Sequence, residues 1–227
     1  MTTSRATISE TFVVVKPLTR GWSHAAASVW AVVLTLALCW RARADSPRLI
    51  AVAIFGLTMI ELYSVSAIYH IGKWRPFAAR LLRSLDHANI FLLIAGTYTP
   101  LCVIVLTGWP RVALLGTIWT LAIVGVGLAV VAPDLPRKIS AGLYIGMGWV
   151  AVLALPAFTA ALHWPALLTL VSGGVLYTIG GLVYASRWPD PYPRVFGYHE
   201  VFHLFVIAGG LAFAVVVWVW VLPFVHP

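Results

Sequence analysis

The chain is dominated by long apolar stretches, almost free of charge, that recur from one end to the other. Each is long enough to cross a hydrocarbon core of about 30 Å as a helix. Uninterrupted runs fall near Trp22–Trp40, Leu49–Ile71, Ala88–Thr107, Val112–Ala132, Ile139–Leu162, Pro165–Ser186 and Tyr198–Leu222. Inside a bilayer the backbone finds no water to pair with, so runs of this length become helices. The expected fold is therefore all-α: a polytopic membrane protein built as a seven-transmembrane-helix bundle. Composition excludes a soluble alternative, because the chain is 61% hydrophobic and 10% charged, whereas soluble domains carry about 25% charged residues.

Breakers and charges mark the connections: Arg41 to Arg48 with Pro47, Lys73 to Arg83, Trp109-Pro110-Arg111, Pro133 to Lys138, and Arg187 to Arg194. His163-Trp164-Pro165 is nearly bare and predicts a tight hairpin between the fifth and sixth spans. No internal repeat, soluble domain or low-complexity tail interrupts the pattern. The organisation expected is a cytoplasmic segment over residues 1–21 followed by one seven-helix domain over residues 22–222. Met1 to Arg20 has no signal-type apolar region with a cleavage site, so the N-terminus is expected to be retained.

Lys and Arg, counted on alternate sides, set the orientation. The side of the N-terminus collects Arg5, Lys16, Arg20, Lys73, Arg75, Arg80, Arg83, Arg137, Lys138, Arg187 and Arg194; the other side holds Arg41, Arg43, Arg48 and Arg111. Eleven against four predicts the N-terminus in and the C-terminus out. The formal net charge of +8 is thus a matter of topology and of contact with anionic lipid headgroups, and nucleic-acid binding is not expected. Pro76 is able to start a short helix with Phe77, Leu81 and Leu85 on one face, lying along the headgroups. A plain basic loop fits the same residues equally well. Cys39 and Cys102 lie in apolar stretches and form no metal-clasping pair.

Ionisable groups within spans are costly and mark candidate sites. The last span opens with His199-Glu200-Val201-Phe202-His203, whose i, i+4 spacing puts two imidazoles on one helical face. Ser66 and His70 share the same spacing at the end of the second span, and Asp86 and Asn89 share a face at the start of the third. In the predicted topology these three helix ends meet on one side at similar depth. Three imidazoles, His70, His199 and His203, then suit a zinc ion with one position left open, though other first-row ions accept the same donors. Asp86, Ser66 and Asn89 would position water around it. His24, His87, His163 and His226 read more simply as interfacial, hydrogen-bonded side chains. Glu61 lies nine residues before His70, on roughly the opposite face, and is expected to bond to a neighbouring helix.

His199 to His203 also spells H-E-x-x-H, in which zincin-type proteases use the glutamate as general base. Such a protease commonly takes its third ligand downstream, where this chain offers only His226. An upstream third ligand disfavours that mechanism. Glu200 is instead expected to pair with a basic group such as Arg194 at the membrane edge.

Three motifs in order closely resemble the signatures of the bacterial hemolysin III family: Ser66-Ala67-Ile68-Tyr69-His70, Asp86-His87-Ala88-Asn89 continuing to Gly96-Thr97-Tyr98-Thr99-Pro100, and Phe196-Gly197-Tyr198-His199-Glu200-Val201-Phe202-His203. Arg20-Gly21-Trp22-Ser23-His24 resembles the same family's opening of the first span. The family is grouped with the progestin and adipoQ receptors and, more distantly, the alkaline ceramidases. The resemblance implies zinc held by His70, His199 and His203, with Asp86 holding the water at the metal and Ser66 as the remaining shared polar residue. It also implies a bacterial inner-membrane location and an activity resembling hydrolysis of a lipid amide. Glu200 is outside the residue set shared by that superfamily.

Three functions compete: a zinc-dependent hydrolase acting on a membrane lipid amide or ester, a receptor-like or membrane-homeostasis protein with structural zinc, and a cytolytic pore. The substrate and the oligomeric state are not written in the residues. The orientation has a direct measure. A reporter fused after Pro227 is expected to behave as periplasmic, and cytoplasmic activity from that fusion would reverse the assignment.

Overall fold

A computed structural model describes residues 17–226, so Arg5 and Lys16 of the charge count lie outside the described residues. Seven helices are long and apolar enough to cross a membrane: α1 Trp22–Ala42, α2 Ser46–Ile71, α3 Pro76–Val105, α4 Gly108–Val131, α5 Arg137–Ala161, α6 Trp164–Ser186 and α7 Tyr198–Val221. No β-strand occurs among the described residues. Local sequence sets several helix starts. Asp45 caps α2 by accepting a hydrogen bond from the Arg48 amide at 3.0 Å, and Pro76 and Pro165 occupy first turns, where a missing N–H costs nothing.

The third helix departs most from the sequence reading. It begins at Pro76, so the suggested surface helix is neither separate nor a loop but the first three turns of α3 itself. Phe77 and Leu81 do project outward, 75% and 51% exposed, as the amphipathic pattern requires. No residue between Leu85 and Ala88 breaks the helical ladder, which explains the continuity.

Consecutive helices pack along the series α1 to α4, then α5 against α6 and α6 against α7, while α1 touches α7 and α3 touches α5. α3 is the central element: 83% of its most apolar window is buried within the protein, against at most 50% for any other span. Three of the spans depart from regular α geometry: α3 and α5 do so beside a proline, and α7 ends in a π turn over Val217–Val221. Beyond Pro100, whose ring removes a donor and crowds the preceding turn, α3 widens into a π turn over Leu101–Val105. The Arg111 guanidinium donates to the carbonyls of Cys102, at 3.3 Å, and Val103 there. In α5, Pro156 follows a 3-10 stretch over Trp149–Ala154. The Tyr98 hydroxyl, reaching from α3, donates to the Gly148 carbonyl at 2.6 Å and accepts from the Ala151 amide at 2.8 Å.

Small residues bring the helices close, as is usual where lipid offers no hydrophobic drive between them. A methyl group added at Gly96 of α3 would lie 2.1 Å from Oγ1 of Thr58 on α2, and one at Gly56 would lie 2.3 Å from Oγ1 of Thr35 on α1. The starts of α1, α3 and α7 and the end of α2 share one end of the bundle. There the backbone amides of Leu18 and Thr19 pair with the carbonyls of Arg194 and Val195, both at 3.2 Å. The G96V variant is expected to lower stability by about 1–3 kcal/mol through overpacking. Thermal denaturation in detergent measures this, and an unchanged melting temperature would refute the close approach of α2 and α3.

Candidate metal centre

The second helix delivers His70 on its last turn, and α7 delivers His199 and His203 on its first two turns. Their ligand nitrogens all lie within 4.8 Å of one another. Nε2 of His70 and Nε2 of His199 are 3.1 Å apart, close to the ~3.4 Å expected for two nitrogens on one tetrahedral ion with bonds of about 2.0–2.1 Å. Two bare ring nitrogens facing each other at this distance repel unless one is protonated or both share a cation. His203 is buried and its Nδ1 has no hydrogen-bond partner among the described residues, which is a poor arrangement for an imidazole serving only as core. The donor set therefore fits a first-row divalent cation.

Asp86, about three turns into α3, faces this cluster, with Oδ2 3.6 Å from Nε2 of His70. Ser66, buried one turn before His70, lies beside the same carboxylate. Asn89 does not join them. It turns to α2 and donates to the Glu61 carbonyl at 3.4 Å, so its work is to tie two helices together. Glu61 itself points outward from the bundle. Its place opposite His70 was legible from the spacing, but that face of α2 meets the surroundings and not the neighbouring helix expected.

Glu200 is fully buried and turned away from the cluster. One carboxylate oxygen takes the Arg20 guanidinium and the other accepts the Gly197 amide at 2.8 Å, so the Glu200 side chain reaches back to the residue that starts α7. The expected ion pair exists, but its partner is Arg20 rather than Arg194, because the segment before α1 folds across the 194–195 strand of chain. With both oxygens held by Arg20 and the Gly197 amide, Glu200 does not fit a zincin base.

His24 is the residue the sequence reading undervalued. It is 2% exposed, stacks on His203 with ring centroids 3.7 Å apart and an interplanar angle of 11°, and neither of its nitrogens has a partner among the described residues. The missed signal was topological, since α1 starts at the same end of the bundle as the three ligands and His24 lies near its start. Gly21 permits this fit: its φ is +85°, and a Cβ there would lie 2.8 Å from Cβ of His70. His163 and His226 line a separate cavity at the opposite end of the bundle, and His87 faces Tyr144, whose hydroxyl reaches its carbonyl at 3.4 Å.

From the cluster a cavity runs into the bundle. Ser66, Asp86, His24 and His203 line one part of it, and its walls continue past Leu93 and Tyr98 on α3, with Trp149 and Phe213 opposite. Asp86 to Tyr98 covers about 18 Å of helix axis, and most of the lining is apolar.

These features define a class: seven-helix integral membrane proteins with a three-histidine cluster and a carboxylate at one end of the bundle. Sequence comparison gives the family. The model of proteins described as "Haemolysin-III related" matches residues 12–214. Hemolysin-3 of Bacillus cereus is 35% identical over 175 residues, covering 77% of this chain and 76% of that protein. The Hemolysin-3 homolog of Bacillus subtilis (strain 168) is 30% identical over 164 residues, 72% and 74% of the two chains. The chain belongs to the haemolysin III family. Human Monocyte to macrophage differentiation factor is 24% identical over 209 residues, 87% of this chain and 81% of that protein, in keeping with the wider superfamily to which the motifs point.

Purified protein is expected to carry about one metal ion per chain. Alanine at His70, His199 or His203 should each reduce metal content at least tenfold by elemental analysis, whereas His163→Ala should retain it. Full stoichiometry in the triple variant would refute the cluster as a metal centre.

Proposed function

We propose that the protein is a zinc-dependent membrane hydrolase acting on a lipid amide or ester, oriented with the metal centre toward the cytoplasm of a bacterial inner membrane. The observation that carries this reading is the juxtaposition of three imidazoles, a carboxylate and a hydroxyl at the mouth of an apolar cavity. Such a cavity suits an acyl chain, and the polar groups at its mouth suit the carbonyl that heads it. A structural metal alone would not require an acid and a serine facing the same opening.

When bound, zinc supplies Lewis-acid polarisation of the carbonyl and makes a coordinated water more acidic. His70, His199 and His203 would hold that ion, with Asp86 facing the same cluster. The Asp86 carboxylate orients the attacking water, accepts its proton as the new C–O bond forms, and returns it to the leaving nitrogen or oxygen as the old bond breaks. The products are a carboxylic acid and an amine or alcohol. Ser66 Oγ donates to the carbonyl oxygen as negative charge gathers there. The apolar walls hold the chain and keep bulk water from the reacting atoms.

Asp86→Asn is expected to keep the metal and lose turnover by at least a hundredfold, since the amide keeps the shape but cannot accept the proton. Glu200→Gln should act through stability, because it weakens a buried ion pair whose disruption typically costs about 3–5 kcal/mol. Lipid hydrolysis in reconstituted vesicles and metal content measured together distinguish these outcomes. A zincin-like mechanism gives the reverse ranking. Metal-loaded wild type that hydrolyses no amide or ester lipid would favour a structural role for the ion.

A further inference from the structure

Below the metal centre the bundle contains a second cluster of polar atoms. His24 and Tyr63 are buried and Tyr177 is partly buried, and both His24 nitrogens and both tyrosine hydroxyls are enclosed with no hydrogen-bond partner among the described residues. An unpaired polar group in such surroundings is destabilising, and four together are unusual for a natural core. The Tyr63 ring packs against His24 with centroids 5.2 Å apart. Both tyrosine hydroxyls converge on Gly210: a methyl group there would lie 2.4 Å from that of Tyr63 and 3.5 Å from that of Tyr177.

Apart from Nδ1 of His203 at the metal centre, the other polar groups along the cavity wall are already engaged. Thr97 and Thr178 donate to backbone carbonyls at 2.8 Å, the Trp149 indole donates to Thr178 at 2.9 Å, and the Tyr98 hydroxyl pairs with α5. His24 and Tyr177 line the cavity, and Tyr63 stands against His24. Depth follows from register. Tyr63 is seven residues from His70 on α2 and Gly210 seven from His203 on α7, so the Tyr63 and Gly210 level sits about 10 Å along the helices from the metal ligands, and His24, stacked on His203, spans the interval.

The geometry points to a polar subsite for a hydroxyl group carried partway along the lipid chain. A hydroxyl both donates and accepts, matching tyrosine hydroxyls and a neutral imidazole that do the same. A plain hydrocarbon chain leaves all four atoms unpaired. The protein accordingly selects mid-chain hydroxylated acyl groups over saturated ones. Selection rests on the reading of the cavity as an acyl site, but not on hydrolysis, and it is measurable as binding.

The test compares stearic acid with 10-hydroxystearic acid in displacement of a fluorescent fatty acid from purified, metal-loaded protein. Wild type should bind the hydroxylated acid about tenfold more tightly. Tyr177→Phe and Tyr63→Phe should each lower that ratio toward one while leaving the stearic acid affinity within about twofold. Gly210→Ala, which fills the space between the hydroxyls, should do the same by a different route, and metal content and melting temperature report whether each variant is folded. Equal affinity for the two acids in wild type, or a preference that survives in all three folded variants, overturns the subsite while leaving the acyl cavity standing. Failure of both acids to bind overturns the cavity reading together with the subsite.

Discussion

The ion pair between Arg20 and Glu200 holds the end of the bundle on which the candidate centre depends. Glu200 is buried in the first turn of α7, between the two histidines of that helix. Its carboxylate joins the segment preceding α1 to the amide that starts α7. A buried charge left without its partner is strongly destabilising, so the pair fixes the rotation of α7 and with it the direction of His199 and His203. The same contact draws Gly21 against His70 and sets His24 beneath His203. One electrostatic constraint thus orients side chains from three helices.

Further into the bundle, the governing rule is that backbone groups freed in hydrocarbon must be paired again. Pro100 and Pro156 loosen α3 and α5, and in both places a side chain from elsewhere supplies the missing partner: Arg111 for the π turn, Tyr98 for the 3-10 stretch. Tyr98 also lies on the cavity wall, so the irregularity of α5 is coupled to the shape of the space beside it. Buried side-chain polar groups face the same demand, and the unpaired atoms of His24, Tyr63 and Tyr177 do not meet it, which is why they read as a place for a ligand group rather than as packing.

The sequence by itself determined the class of fold and most of the helix limits, because a long apolar run in a bilayer has one low-energy backbone conformation. It also determined the pairing of His199 with His203 and of Ser66 with His70, since i, i+4 spacing fixes a common face irrespective of tertiary context. The convergence of His70 with the α7 pair followed from helix direction alone. Tertiary structure decided what periodicity leaves open: which neighbour each helical face meets. It turned Asn89 to the Glu61 carbonyl, gave Glu200 to Arg20 rather than Arg194, joined the Pro76 segment to α3, and buried His24 against His203. Spacing along one helix specifies an angle about its own axis, but the identity of the group across the interface depends on how separate helices are rotated and packed, and that is a property only of the assembled bundle.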